Sequence, residues 1–120
     1  MRFVILFVVA TTLARTQDLQ KKEPPKQYYT AVFSRGEQWD TTKQPNEQPH
    51  FPEHGKNLHR LRTEGKIALG GRFGELGLVV FKSDSEAEVR SFFSSDSLVL
   101  KNILNMELNT FTPLYKGCIE

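Results

Sequence analysis

The chain has 120 residues, of which 38% are hydrophobic and 25% are charged, and its formal net charge is +2. This length suits a single domain, and so small a net charge argues against nucleic acid or an anionic membrane surface as a partner. Cys118 is the only cysteine, so an intrachain disulfide is excluded.

The first 14 residues have the layout of a secretory signal peptide. Arg2 supplies a positive charge, residues 3–10 form an apolar stretch, and Thr12 and Ala14 are small residues that suit cleavage after position 14. An uncleaved membrane anchor is the alternative, but a membrane-spanning helix needs about 20 apolar residues. We therefore predict an exported protein, periplasmic or extracellular, without membrane attachment after cleavage.

A polar segment follows the predicted signal peptide. Residues 15–27 are rich in charged and amide side chains and contain Pro24-Pro25, which is typical of a disordered linker. The composition changes near position 28, and we place one domain over residues 28–117.

The domain is predicted to begin with a strand and a helix separated by a long loop. Residues 28–34 are aromatic and β-prone, which favours a strand, and residues 35–49 contain glycine and proline among polar residues. Pro52 suits the first turn of a helix that ends near Glu64, with Gly65 as the residue that terminates it.

One face of this helix carries the first residues of interest. His54, Leu58 and Leu61 follow helical spacing and share a face, and Lys56, Asn57 and Arg60 are expected to point elsewhere.

Two further strands are predicted over residues 66–73 and 76–82, joined by a hairpin turn that begins at Gly74. The second strand contains an apolar run at residues 78–81, which indicates burial on both faces of the sheet.

The last part of the domain is predicted to contain two short helices and a final strand. Ser83 and Glu86 have the spacing of a capping box at the start of a helix, whose apolar face is formed by Val89, Phe92 and Phe93. A short helical segment over residues 98–103 and a strand over residues 105–115 complete the chain.

The predicted order of elements is β-α-β-β-α-β with an extra short helix, an α+β, ferredoxin-like arrangement. Two helices cover only one face of a four-stranded sheet, so the other apolar face needs a second layer. We therefore predict a homodimer formed by packing sheet against sheet.

Two segments resemble the signatures of the YCII-related (YciI-like) domain family. Residues 53–66 contain a histidine at the start of the first helix and Glu-Gly-Lys after it, and residues 92–97 contain an aspartate at the end of the second helix. The resemblance covers about residues 28–117.

The resemblance implies a dimeric α+β barrel with an active site built on a His–Asp pair. By position these residues are His54 and Asp96, although Ser97 follows where the family usually has proline, and Gly55 stands where an apolar residue is more frequent. The family includes a dehydrochlorinase activity on a hydroxylated aromatic ring. We expect His54 to act as general acid or base and Asp96 to orient it, in a lyase-like or isomerase-like proton transfer on a small polar molecule.

Alternatives remain open for each of these residues. His54 also suits a hydrogen-bonded core position, and Asp96 suits the N-cap of the short helix, which would describe a non-catalytic ligand-binding or structural dimer domain. As substrate-binding residues we select Trp39, in the longest loop, which suits a lid, and Arg72, which suits an anionic substrate. His50 and His54 lack a third ligand, so neither a metal nor another cofactor is expected.

Overall fold

The structure, a computed structural model, describes residues 27–117. The predicted signal peptide (residues 1–14), the linker except Gln27, and Cys118 lie outside the described residues. Gln27, predicted as the last residue of the linker, instead begins the first strand.

The described residues form four strands and three helices. The strands are β1 (Gln27–Arg35), β2 (Ile67–Phe73), β3 (Leu76–Ser83) and β4 (Leu104–Phe111), and the helices are α1 (Phe51–Thr63), α2 (Glu86–Ser91) and α3 (Ser97–Leu100). A single 3-10 turn, Pro45–Glu47, lies in the long loop before α1.

The strands form one antiparallel sheet in the order β2-β3-β1-β4. β1 lies inside the sheet and pairs with β3 on one side and β4 on the other. The α+β class is therefore confirmed, and the four-stranded antiparallel sheet with three helices is compatible with a ferredoxin-like arrangement.

The two ends of α1 follow from residues that the sequence places there. His50 adopts the left-handed conformation (φ 66°) just before the helix, and Pro52 occupies its first turn. Proline suits this position because the backbone N–H that it lacks would have no partner within the helix. Gly65 (φ 78°) ends the helix. The Gly65 N–H donates to the Arg62 carbonyl and the Lys66 N–H donates to the Leu61 carbonyl, which is the pattern of a Schellman motif.

The start of α2 differs from the prediction by two residues. Ser85, rather than Ser83, is the N-cap, and its side chain accepts the Glu88 N–H at 3.1 Å. Ser83 remains in β3, pairs with Gln27 and donates through its hydroxyl to the Glu88 carboxylate. The chain therefore stays extended for longer than the Ser83–Glu86 spacing indicated.

The core lies between one face of the sheet and the helices. Tyr29, Ala31 and Phe33 alternate along β1 as its buried side chains, as expected for a strand with one face on the core. They pack in one cluster with the apolar side chains of α1, α2 and β3, among them Leu61, Phe81, Val89 and Phe93.

The opposite face of the sheet carries no helix within residues 27–117. Val80 is buried there, but Phe73 and Phe111 are 50% and 43% exposed. Of the predicted buried run in β3, Val79, Val80 and Phe81 are buried, whereas Leu78 is half-buried. No helix in the described part of the chain is long and apolar enough to cross a membrane.

Candidate functional site

His54 and Asp96 are brought together although 42 residues separate them in the sequence. His54 lies in the first turn of α1 and Asp96 immediately precedes α3. The His54 Nδ1 atom lies 2.6 Å from Asp96 Oδ2, and the two side chains are 8% and 0% exposed. A short contact between buried groups of this kind is typical of a charge-assisted hydrogen bond.

Asp96 is held in its ionised form by its surroundings. Burial alone would raise the pKa of its carboxyl, but the hydrogen bond and charge of His54, with donors from Asn57 and the Leu98 N–H, outweigh burial and lower the pKa. The Leu98 N–H donates to Asp96 Oδ1 at 3.1 Å, so Asp96 also caps α3, as the sequence predicted.

The protonation of the His54 ring follows from this carboxylate. An ionised carboxylate only accepts hydrogen bonds, so Nδ1 carries the proton and donates it to Asp96 Oδ2. In the neutral ring, Nε2 is then the atom with a free electron pair. The Phe33 ring packs against the imidazole edge-on, with centroids 5.3 Å apart, and helps to fix its orientation.

The Nε2 atom of His54 is unpaired within the described residues, and His54 lines a cavity. No buried polar side-chain atom in this part of the chain is left without a partner. Nε2 must therefore be open to solvent, and His54 lines a cavity of about 920 Å³ between α1 and the sheet. This is within the usual size range of small-molecule sites.

Two glycines, on the neighbouring strands β2 and β3, leave space for this cavity. Gly77 of β3 lies opposite Phe33 and Arg72 in the sheet register, on the face that α1 covers. Gly70 of β2, opposite Val79, faces the same way. Because both glycines lack a side chain, the space between α1 and this part of the sheet stays unfilled, and both residues line the cavity.

Trp39 and Arg72, the two predicted substrate-binding residues, also line this cavity. The Arg35 guanidinium lies 5.3 Å from the centroid of the Trp39 ring, a cation–π distance. Arg35 Nη2 also lies 3.3 Å from Glu75 Oε1. These contacts connect the long loop, the end of β1 and the β2–β3 turn at one side of the cavity.

The loop that carries Trp39 is fixed by a buried side chain. Gln48 is 2% exposed, and its amide donates to the Asp40 and Lys43 carbonyls and accepts the Asp40 N–H. The Gly36 N–H donates to the Ile103 carbonyl at 2.9 Å, which ties the loop to the segment before β4. Hydrogen bonds thus hold the loop in place along most of its length.

Asn57 is a functional candidate that sequence reasoning missed. It was expected to point away from His54, but its side-chain amide donates to Asp96 Oδ2 at 3.3 Å and to the Phe92 carbonyl at 2.9 Å. Asn57 follows His54 by three positions, and residues at this spacing are neighbours on a helix. This spacing was the available signal.

No group of three or more His, Cys, Asp or Glu side chains suited to a metal occurs within residues 27–117. His50, considered with His54 as a metal pair, instead places its Nδ1 atom 3.3 Å from Glu53 Oε1.

Comparison of the chain with protein-family models, with curated proteins and with solved structures finds no match.

Proposed function

We propose that this protein is a small YCII-type enzyme in which His54 transfers a proton to or from a small polar molecule and Asp96 orients the imidazole. The observation that carries the proposal is the 2.6 Å contact between His54 Nδ1 and Asp96 Oδ2 in the wall of a cavity of about 920 Å³. A buried His–Asp pair with its second nitrogen open to a cavity has the arrangement that general acid–base catalysis requires.

The proposed reaction is an elimination or an isomerisation begun by proton abstraction. Nε2 of His54 takes a proton from a substrate carbon. In an elimination the electron pair of the broken C–H bond forms a new double bond as the leaving group departs with its bonding pair. In an isomerisation the same pair forms a double bond in a new position, and the electrons of an existing double bond move to the carbon that is protonated next. Asp96 stabilises the resulting imidazolium. The imidazolium then returns the proton to the leaving group or, in an isomerisation, to another carbon of the substrate.

The proposal includes the family assignment, the dimeric α+β barrel and the homodimer. The order of the secondary-structure elements and the exposed apolar side chains on the open face of the sheet support this part.

The proposal also includes export with cleavage after Ala14, which the composition of residues 1–14 supports. An intact-mass measurement on protein secreted by an expression host tests export, because the cleaved chain must begin at Arg15.

The proposed chemistry is tested with a panel of small hydroxylated and halogenated aromatic compounds. Each compound is incubated with the protein in deuterated water, and proton NMR follows C–H exchange and loss of the leaving group. His54→Gln should abolish both signals. Loss of a general base typically lowers the rate by about 10²- to 10⁴-fold.

A matched control comes from the neighbouring histidine. His50 does not line the cavity and has a left-handed backbone, which asparagine tolerates, so His50→Asn should keep full turnover. Equal turnover by wild type and His54→Gln would contradict the proposal. A correctly folded protein that exchanges no C–H proton in the panel would favour a binding or structural domain.

A further inference from the structure

The cavity beside His54 carries more positive charge than the rest of the domain. Residues 27–117 contain equal numbers of basic and acidic side chains. Among the cavity-lining residues, however, Arg35, Arg62 and Arg72 are opposed by Glu75 alone. The domain is thus neutral as a whole and concentrates arginines at this site.

Two of these arginines have no protein partner in the described part of the chain. Glu75 is paired with Arg35, whereas no ion pair or side-chain hydrogen bond involves Arg62 or Arg72. Arg62 lies on α1 eight positions after His54, and Arg72 lies on the α1-facing side of β2, opposite Gly77. Both residues line the same cavity, Arg62 from α1 and Arg72 from β2.

The other walls of the cavity are apolar. Phe33, Phe51, Leu58 and Leu98 line it together with Trp39. An apolar pocket with a few convergent charged groups is the usual form of a small-molecule site, and arginine is well suited to binding carboxylates because its planar guanidinium can donate two parallel hydrogen bonds.

We infer that the cavity binds a small aromatic carboxylate, whose anionic group lies between Arg62 and Arg72 and whose ring packs on the apolar walls beside His54 Nε2. We expect a monoanion, since the buried Asp96 carboxylate behind His54 offsets one of the two unpaired arginines. This inference names the ligand class of the proposed active site and so rests on the proposed function.

Binding can be measured directly because Trp39 is the only tryptophan of the chain and lines the cavity. Benzoate and phenylacetate are titrated into the wild-type protein while Trp39 fluorescence is recorded, and the neutral benzamide and phenylacetamide serve as isosteric controls. We expect the carboxylates to bind about tenfold or more tightly than the amides, the size of one charge-assisted hydrogen bond. Equal affinity for acid and amide overturns the inference.

Substitutions of the arginines then test which of them bind the carboxylate group. Arg62→Gln and Arg72→Gln should each weaken benzoate binding about tenfold and leave benzamide unaffected. Arg90→Gln, which removes an exposed arginine that pairs with Glu86 away from the cavity, should bind like wild type. Unchanged benzoate affinity in both cavity variants, with all variants folded by circular dichroism, overturns the inference, as does tighter binding of the dianion phenylphosphonate than of benzoate.

The same experiment separates this inference from the proposed chemistry. His54→Gln should keep benzoate binding but lose turnover. Turnover of a neutral compound without any carboxylate binding would overturn the ligand class and leave the proposed function standing. Carboxylate binding that depends on both arginines, with no proton exchange in any aromatic carboxylate, would overturn the catalytic proposal and support the binding site.

Discussion

Asn57 donates to the same Asp96 oxygen that His54 contacts: its Nδ2 atom lies 3.3 Å from Oδ2, and His54 Nδ1 lies 2.6 Å from it. Arg60 Nη2 in turn donates to Asn57 Oδ1 at 2.7 Å. A chain of hydrogen bonds therefore runs from the exposed side of α1 to the buried carboxylate. Its middle member, Asn57, holds Asp96 against α1 while the Leu98 N–H holds it from α3.

Replacing Asn57 by alanine should lower the free energy of unfolding by about 1–2 kcal/mol, because the Asp96 carboxylate and the Phe92 carbonyl each lose a donor. It should also raise the pKa of the Asp96 carboxyl, since one of the groups that stabilises the charged form is removed. Urea unfolding measures the first effect, and a carbon-13 NMR titration of the carboxyl measures the second.

Asn105 provides the matched control for this variant. It is exposed and makes one long bond, 3.3 Å, to the Arg35 carbonyl. Asn105→Ala should therefore change the free energy of unfolding by less than about 0.5 kcal/mol. Equal effects of the two substitutions would show that Asn57 does not position Asp96.

The stability of the fold should depend on pH through Asp96. The pKa of its carboxyl is lowered in the folded state from the ordinary value of 3.8, so the unfolded chain takes up the proton first as the pH falls. The stabilising contribution is complete above about pH 4 and is lost as the pH falls through the folded-state pKa. At pH 7, Asp96→Asn should lower the free energy of unfolding by about 2 kcal/mol, the value of a hydrogen bond to a charged group.

The difference between wild type and Asp96→Asn should therefore shrink as the pH is lowered below about 4. Urea unfolding curves at pH 7, 4 and 2.5 would measure it. Glu37→Gln, in the exposed part of the long loop, is the control and should follow wild type at each pH. A constant difference across this range would contradict the assignment of a lowered pKa to Asp96.

Local sequence rules predicted the secondary structure because its signals are local. Aromatic and β-prone residues give β1, the proline and Gly65 delimit α1, and Asp96 caps α3 as its residue type indicates. The Ser83–Glu86 pair misled because the same serine-to-glutamate spacing recurs at Ser85 and Glu88. The capping rule does not tell which serine leaves the sheet, since pairing of β3 with β1 decides this.

The site could be predicted only in part. The resemblance paired His54 with Asp96, but the contacts of Asn57 depend on where α1 passes the turn after α2. That Arg62 and Arg72 line one cavity depends on how α1 packs over β2. Such tertiary distances have no counterpart in spacing along the chain, so the cavity itself was not predictable.

Gly36 and Gly55 should respond in opposite directions to the same substitution. A Cβ atom at Gly36 would lie 2.1 Å from the Asn102 carbonyl oxygen, whereas at Gly55, inside α1, nothing lies within 4 Å. Gly36→Ala must displace backbone and should lower the free energy of unfolding by about 1–3 kcal/mol. Gly55→Ala should raise it by about 0.5–1 kcal/mol, since alanine favours a helix interior.

Thermal unfolding of both variants beside wild type tests this pair. Gly36→Ala should melt at a lower temperature and Gly55→Ala at a higher one. A neutral Gly36→Ala would mean that the long loop does not approach Asn102 as closely as the structure places it.

The proposed homodimer makes the open face of the sheet an interface. Phe73 on β2 and Phe111 on β4 lie near its two edges and are 50% and 43% exposed. A glutamate at either position would place a charge in the centre or rim of an apolar interface, where an unpaired carboxylate is strongly disfavoured. Sedimentation at micromolar concentration should give a dimer for wild type and a monomer for Phe73→Glu or Phe111→Glu.

Leu100 separates this effect from a general loss of apolar surface. It is 57% exposed but belongs to α3, on the helix side of the sheet, so Leu100→Glu should remain dimeric. A dimer that survives both substitutions on the sheet and dissociates on Leu100→Glu would place the interface on the helices instead. A wild-type monomer would contradict the proposed dimeric barrel, because no second copy would then cover the open face of the sheet. A domain of about 90 residues would in that case expose the apolar side chains of this face to water.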